Sequence, residues 1–355
     1  MPAGINGRKA AVMGAIVVLT VIAGIAHFAG VAALAVFVLS GAALGGLAWI
    51  VSDATEAIGR RFGPGATGVL QSTLGNLPEL FVVVFALRAG ELVVAETSIL
   101  GSLFANALLV LGLVLVVGAR QGGGVMRFGK RLPNDATMLL MLAVFTIVLL
   151  GVATASHDPV AEHKKAISIA GAIVLLTVYA AWIYYYLRND EPAAPDPAGG
   201  GHAGPSMAVS IGLLALAGVG AAAVSDWFIT ALDPAVADLG ISKAFAGLVI
   251  VAIAGNAVEN VVGVVLAAKG QHDLAISIVK NSVAQIAAFL YPLLILVSLL
   301  FATQLTFSLA PVYIAALLLS GLAMWQITGD GEGTVHEGLA LIGLYAILAM
   351  ITLYE

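Results

Sequence analysis

Eleven apolar runs, set apart by short polar breaks, constrain this chain more than any other feature. They fall at 10–29, 31–51, 66–89, 95–118, 134–153, 165–187, 207–231, 243–267, 274–300, 306–326 and 337–353. A helix that crosses the hydrocarbon core of a bilayer needs about 20 such residues. Of the 355 residues, 61% are hydrophobic and 10% charged, whereas a soluble domain carries about 25% charged residues. The expected fold is therefore an all-α polytopic membrane protein with about eleven transmembrane helices. The absence of cysteine excludes disulfides and thiolate metal sites. No cleavage site follows the run after Arg8 and Lys9, so that run is read as a spanning helix.

The segment Ser52 to Gly65 carries Asp53, Glu56, Arg60 and Arg61 and reads as a short amphipathic cap or solvated turn. Residues 189–205 are rich in proline and glycine and read as the one clear linker. With the N-terminus placed in the cytoplasm, the inner loops collect Arg8, Lys9, Arg60, Arg61, Arg120, Arg127, Lys130, Arg131, Arg188 and Lys269. The outer loops then hold only Arg88, Lys164, Lys165 and Lys243, and this bias favours that orientation.

Two intramembrane motifs share one spacing. Gly75-Asn76-Leu77-Pro78-Glu79 returns as Gly255-Asn256-Ala257-Val258-Glu259, 180 residues later. At the same offset Gly90 matches Gly270 and Ser102 matches Ser282, and at a slightly shorter offset Val51-Ser52-Asp53 resembles Val224-Ser225-Asp226. The chain thus divides into an N-terminal helix (1–30), a first five-helix repeat (31–188), a cytoplasmic linker (189–205) and a second five-helix repeat (206–355). Five spans per repeat is an odd number, so the two copies face opposite ways. Inverted repeats with broken helices are the sequence signature of secondary transporters.

A carboxylate at mid-bilayer costs several kcal/mol unless something uses it. Asn76 and Glu79, like Asn256 and Glu259, are three apart and share a helix face. Pro78 lacks an amide hydrogen and frees the carbonyl of Leu74. Two carboxylates, two amide oxygens and backbone carbonyls make an all-oxygen site of the kind calcium and other hard cations take. Zinc or copper would prefer histidine or cysteine. The bland alternative is a pair of protonated glutamates that bond helices together. Ser102 and Asn106 follow the first motif, and Ser282 and Gln285 the second. Their oxygens would complete the shell, or serve only as hydrogen bonds between helices.

These residues bring a family into view. The chain from about Leu47 onward resembles the calcium/proton exchangers (CAX) of the cation/calcium exchanger superfamily. The resemblance is carried by Asp53-Ala54-Thr55-Glu56, Gly75-Asn76-x-x-Glu79, Leu100-Gly101-Ser102 with Asn106, and Leu109-Val110-Leu111-Gly112. It continues in Gly255-Asn256-x-x-Glu259, Ala267-Ala268-Lys269-Gly270, Ser282 with Gln285, and Glu337-Gly338-Leu339. It implies one extra first helix plus two inverted five-helix repeats, and glutamates 79 and 259 that bind calcium and exchange it for protons. Asn76-Leu77-Pro78-Glu79 resembles instead the Ser-Leu-Pro-Glu of sodium/calcium exchangers, and Asn260 stands where the calcium/proton exchangers usually carry histidine.

The expectation is a secondary antiporter, not an enzyme, that moves calcium out of the cytoplasm against protons by alternating access. Two acids in one dry site cannot both hold their charge cheaply, so protons and a cation compete for the same oxygens. The alternatives are a sodium/calcium exchanger of the same fold, an antiporter for another cation and, remotely, an intramembrane enzyme. No cofactor and no nucleic-acid partner is expected. The partners are calcium ions, protons and the lipid bilayer, with room for a homo-oligomer, and the expected location is the plasma membrane of a prokaryote. Lys280 is expected to snorkel to the cytoplasmic interface, or else to turn its ammonium towards Glu79 and Glu259.

Overall fold

A computed structural model describes residues 7–59, 74–129, 131–189 and 205–355, with backbone alone at 131–134, 186, 189 and 257–260. The expected runs become helices: α1 (Gly7–Phe28), α2 (Ala33–Gly59), α3 (Leu77–Ala89), α4 (Leu92–Gln121), α5 (Arg131–Ala155) and α6 (Lys164–Asn189). After the linker come α7 (Met207–Leu239), α8 (Lys243–Gly255), α9 (Ala257–Ala268), α10 (His272–Ser298), α11 (Pro311–Thr328) and α12 (Val335–Leu353). Nine helices among the described residues are long and apolar enough to cross a membrane. The two other expected spans carry the motifs. One is α3, before which 60–73 lie outside the described residues, and the other is α8 with α9, broken at Asn256.

Two boundaries differ from expectation. Ser52 to Gly59 is not a turn but the last part of α2. Its Asp53 carboxylate accepts a charge-assisted bond from Lys9 of α1, so the polar end is paired rather than left to break the helix. Helix α7 runs on past 231 to Leu239, through Pro234, and stops at Gly240 in the left-handed region (φ 64°).

The chain forms two compact units, each with one piece from either half of the sequence. The first comprises residues up to Phe85 with Ala180–Gly240. In it α1, α2 and α7 pack together, with Phe37 stacked on Phe228 at 4.5 Å between ring centroids. Gly24 leaves room for Trp227, since a Cβ there would lie 2.9 Å from the indole.

The second unit comprises Ala86–Tyr179 with Ile241–Glu355. Small residues set its closest approaches. A Cβ on Gly101 would lie 2.2 Å from the carbonyl oxygen of Leu248, so α4 and α8 meet backbone to backbone. One end of this unit carries an antiparallel ribbon of β1 (Val125–Arg127) and β2 (Glu332–Thr334), closed by an Arg127–Glu332 ion pair at 3.0 Å. Gly129 N donates to Asp273 at the same end. The other end is tied by Lys243 to Glu91 at 2.7 Å, Ser308 to Thr154 at 2.9 Å and Phe307 N to Ser168 at 3.0 Å. Helix α4 therefore starts at the loop end, and its counterpart α10 starts at the ribbon end. The matched helices run in opposite directions.

Candidate cation site

Both motifs break a helix at the asparagine. Asn76 is a turn residue between Gly75 and α3, and Asn256 is a turn residue between α8 and α9. Proline does not explain the break, because the second motif has none. Asn256 itself leaves the helical region, at φ −96° and ψ 9°. Pro78 is the second residue of α3, where a missing amide costs nothing. Each motif glutamate becomes the third residue of the helix after the break, Glu79 in α3 and Glu259 in α9. A first-turn carboxylate faces the positive end of the helix dipole, which favours its charge. Glu79, in the first unit, is 5% exposed and Asn76 is buried beside it. The side chain of Glu259 lies outside the described residues, as does that of Asn260.

The symmetry extends beyond the motifs. Gly90 and Gly270 both take left-handed φ (82° and 75°). The amides that follow close the same cap, Glu91 N to Ala86 O at 2.8 Å and Gln271 N to Leu266 O at 3.0 Å. A π-helical segment at Ala105–Val110 in α4 recurs at Ile286–Leu290 in α10. A third π segment, Ala246–Val251, lies in α8 just before the second break. Such bulges insert a residue into the turn and re-aim side chains, often at functional sites. Here the first contains Asn106 and the second directly follows Gln285.

In the second unit the polar groups gather. Asn106 Nδ2 donates to Ser102 O at 2.9 Å and to Asn256 Oδ1 at 3.2 Å. Asn256 Nδ2 donates to Ala252 O at 3.1 Å. The two backbone carbonyls fix both amide orientations, because each needs an NH₂ group. Asn106 Oδ1 is then left over. Asn106 is 0% exposed and Gln285 3%, yet neither Asn106 Oδ1 nor Gln285 Oε1 meets a donor among the described residues. A buried acceptor without a donor costs roughly 1–3 kcal/mol, unless a cation supplies the missing positive charge. Ser102 and Ser282 are buried on the same helices as these amides. All of these donors are oxygen, which suits a hard cation.

Lys280 does not snorkel. It is 1% exposed, and its ammonium donates to Thr328 Oγ1 at 2.6 Å, at the carbonyl end of α11. The negative end of that helix dipole favours a cation there. Glu96, half-buried five residues into α4, had no part in the sequence reading because it sat at the edge of an apolar run. A charge six residues before Ser102 was the available signal.

Comparison with known proteins agrees with this geometry. A family model described as "Sodium/calcium exchanger protein" matches residues 32–188 and 209–354. The chain is 32% identical to the vacuolar calcium ion transporter of Schizosaccharomyces pombe, over 90% of this chain and 79% of that one. It is 29% identical to a Ca²⁺/H⁺ antiporter of Synechocystis sp., over 92% of each. The structure of native YfkE superposes with a TM-score of 0.80 at 26% identity, over 97% of this chain and 99% of that one.

Proposed function

The chain belongs to the sodium/calcium exchanger protein family, in its calcium/proton exchanger (CAX) branch, and from that premise we propose that it exports cytoplasmic calcium in exchange for protons. It is a multi-pass membrane transporter rather than an enzyme, as its relatives' names indicate. On this reading calcium is held by Glu79 and Glu259 with Asn76, Asn256, Ser102, Asn106, Ser282 and Gln285. The observation that carries it is the recurrence, 180 residues apart, of a broken helix with a glutamate at its third position. The orphan oxygens of Asn106 and Gln285 support it, since a cation would satisfy both.

Protons and calcium compete for the two carboxylates. A site that crosses only when loaded with one or the other performs exchange by alternating access, with the residue blocks 31–188 and 206–355 as its inverted repeats. The charge bias of the loops supports a cytoplasmic N-terminus and linker, and bacterial relatives support a prokaryotic plasma membrane.

A second reading, sodium coupling, is favoured by Leu77-Pro78 and Asn260. Everted membrane vesicles separate the two. Calcium uptake should follow an imposed proton gradient and ignore a sodium gradient. Uptake that follows sodium alone would put the second reading first.

A further inference from the structure

Glu96 is a carboxylate inside the span of α4, little more than one turn from its loop end and outside the proposed cation shell, and ionisable side chains within spans mark ion and proton paths. It lies in α4 between the enclosed residues Ala95 and Thr97, and is itself half-buried. No described residue donates a hydrogen bond to it, and no described cation stands within ion-pair distance. Around it are titratable groups. Lys164, at the start of α6, lies beyond ion-pair distance but within electrostatic range of Glu96, as do Tyr291 in α10 and Tyr313 in α11. Tyr291 donates to Thr306 O at 2.8 Å, and Tyr313 donates to Glu355. The other charged or titratable groups on helices packed against α4 lie elsewhere or are engaged. Lys243 holds Glu91, Lys280 holds Thr328, and His336 and Glu337 of α12 lie at the ribbon end. Asp273 is bonded at the ribbon end, and Tyr345 of α12 is buried.

The placement has a direction. Glu96 stands six residues before Ser102, and Tyr291 six residues after Gln285. Because α4 and α10 run in opposite directions, both sit on the loop side of the buried polar groups, Tyr291 about 9 Å from Gln285 and Glu96 about 9 Å from Ser102 and about 15 Å from Asn106 along the axis at 1.5 Å per residue. A half-open carboxylate and the Tyr291 hydroxyl, itself bonded to Thr306 O, therefore lie between the buried amides and the face bearing loops 156–163 and 299–310.

We propose that Glu96 is a proton-transfer station between the cation site and the loop face. The inference rests on the calcium/proton reading. As calcium leaves, an O–H bond forms at the Glu96 carboxylate while one breaks in hydronium on the loop face. The same proton then passes through water to a site carboxylate, and Glu96 returns to its starting state.

The test reconstitutes the full chain in proteoliposomes. Calcium-driven proton movement is compared with isotopic calcium self-exchange, which moves no protons. Glu96→Gln should slow the proton-coupled reaction about a hundredfold, the low end for positioned proton transfer. Self-exchange should slow far less, and Glu96→Asp should recover much of the coupled rate. Lys164→Gln, on an exposed side chain, should shift the pH profile of coupled exchange while leaving self-exchange in place. Equal slowing of both reactions, or an unaltered coupled rate with an unshifted profile, would overturn the proposal. Wild-type protein that exchanges calcium without moving protons would instead overturn the calcium/proton reading.

Discussion

At the scale of single residues, groups in this protein differ by what they lack. Glu79→Gln or Glu259→Gln removes both a charge and a proton site, and each should abolish calcium-driven proton movement in vesicles. Wild-type rates in either would sink the shared-site reading. Gln285→Leu makes a sharper distinction. It deletes an acceptor that has no donor, so the calcium-free protein should hold or gain about 1 kcal/mol of stability. Calcium affinity should fall at the same time, and thermal unfolding with and without calcium reads both. Lys280 gives another asymmetry. Thr328→Val strands a buried ammonium and should cost roughly 2–3 kcal/mol, whereas Lys280→Met removes the charge and should cost little or stabilise. Equal losses in detergent melting would show that the Lys280–Thr328 bond is not what holds that position. The glutamates and asparagines were legible from spacing alone, because an acid in an apolar run stands out. Lys280's partner was not, since Thr328 is 48 residues away and only tertiary packing joins them.

At the scale of elements, hydrophobic run length found the long spanning helices among the described residues, and local chemistry moved the boundaries and split the run 243–267 at Asn256. Polar residues at 52–59 looked like a turn because sequence alone could not show Lys9 opposite Asp53. The π segments were invisible for a related reason. A one-residue bulge leaves the apolar composition of a run unchanged, so Ala105–Val110 and Ile286–Leu290 read as ordinary helix. The glycines were plain in the sequence, but not which of them touch backbone. Gly101→Ala would drive a Cβ to 2.2 Å from Leu248 O and should cost about 1–3 kcal/mol or more. Gly14→Ala meets nothing within 4 Å and should gain about 1 kcal/mol from helix propensity. Melting temperatures that moved together would contradict the close approach of α4 and α8.

At the scale of the whole molecule, the claim is that one set of oxygens serves two cargoes. The doubled architecture was readable because matched positions recur at a constant offset. The same offset then found its structural counterparts in the Asn76 and Asn256 breaks and the Gly90 and Gly270 caps. Which ion those oxygens prefer is a finer matter, since Pro78 and Asn260 resemble one exchanger type and the rest of the motifs another. The most direct measurement is calorimetric titration of calcium into the purified full chain, at one pH, in two buffers of different ionisation enthalpy. Shared carboxylates require that calcium binding release protons, so the apparent enthalpy should differ between buffers. Calcium affinity should also fall on acidification, because protons then hold the same oxygens. An enthalpy independent of buffer, with an affinity flat between pH 5 and pH 8, would contradict the account.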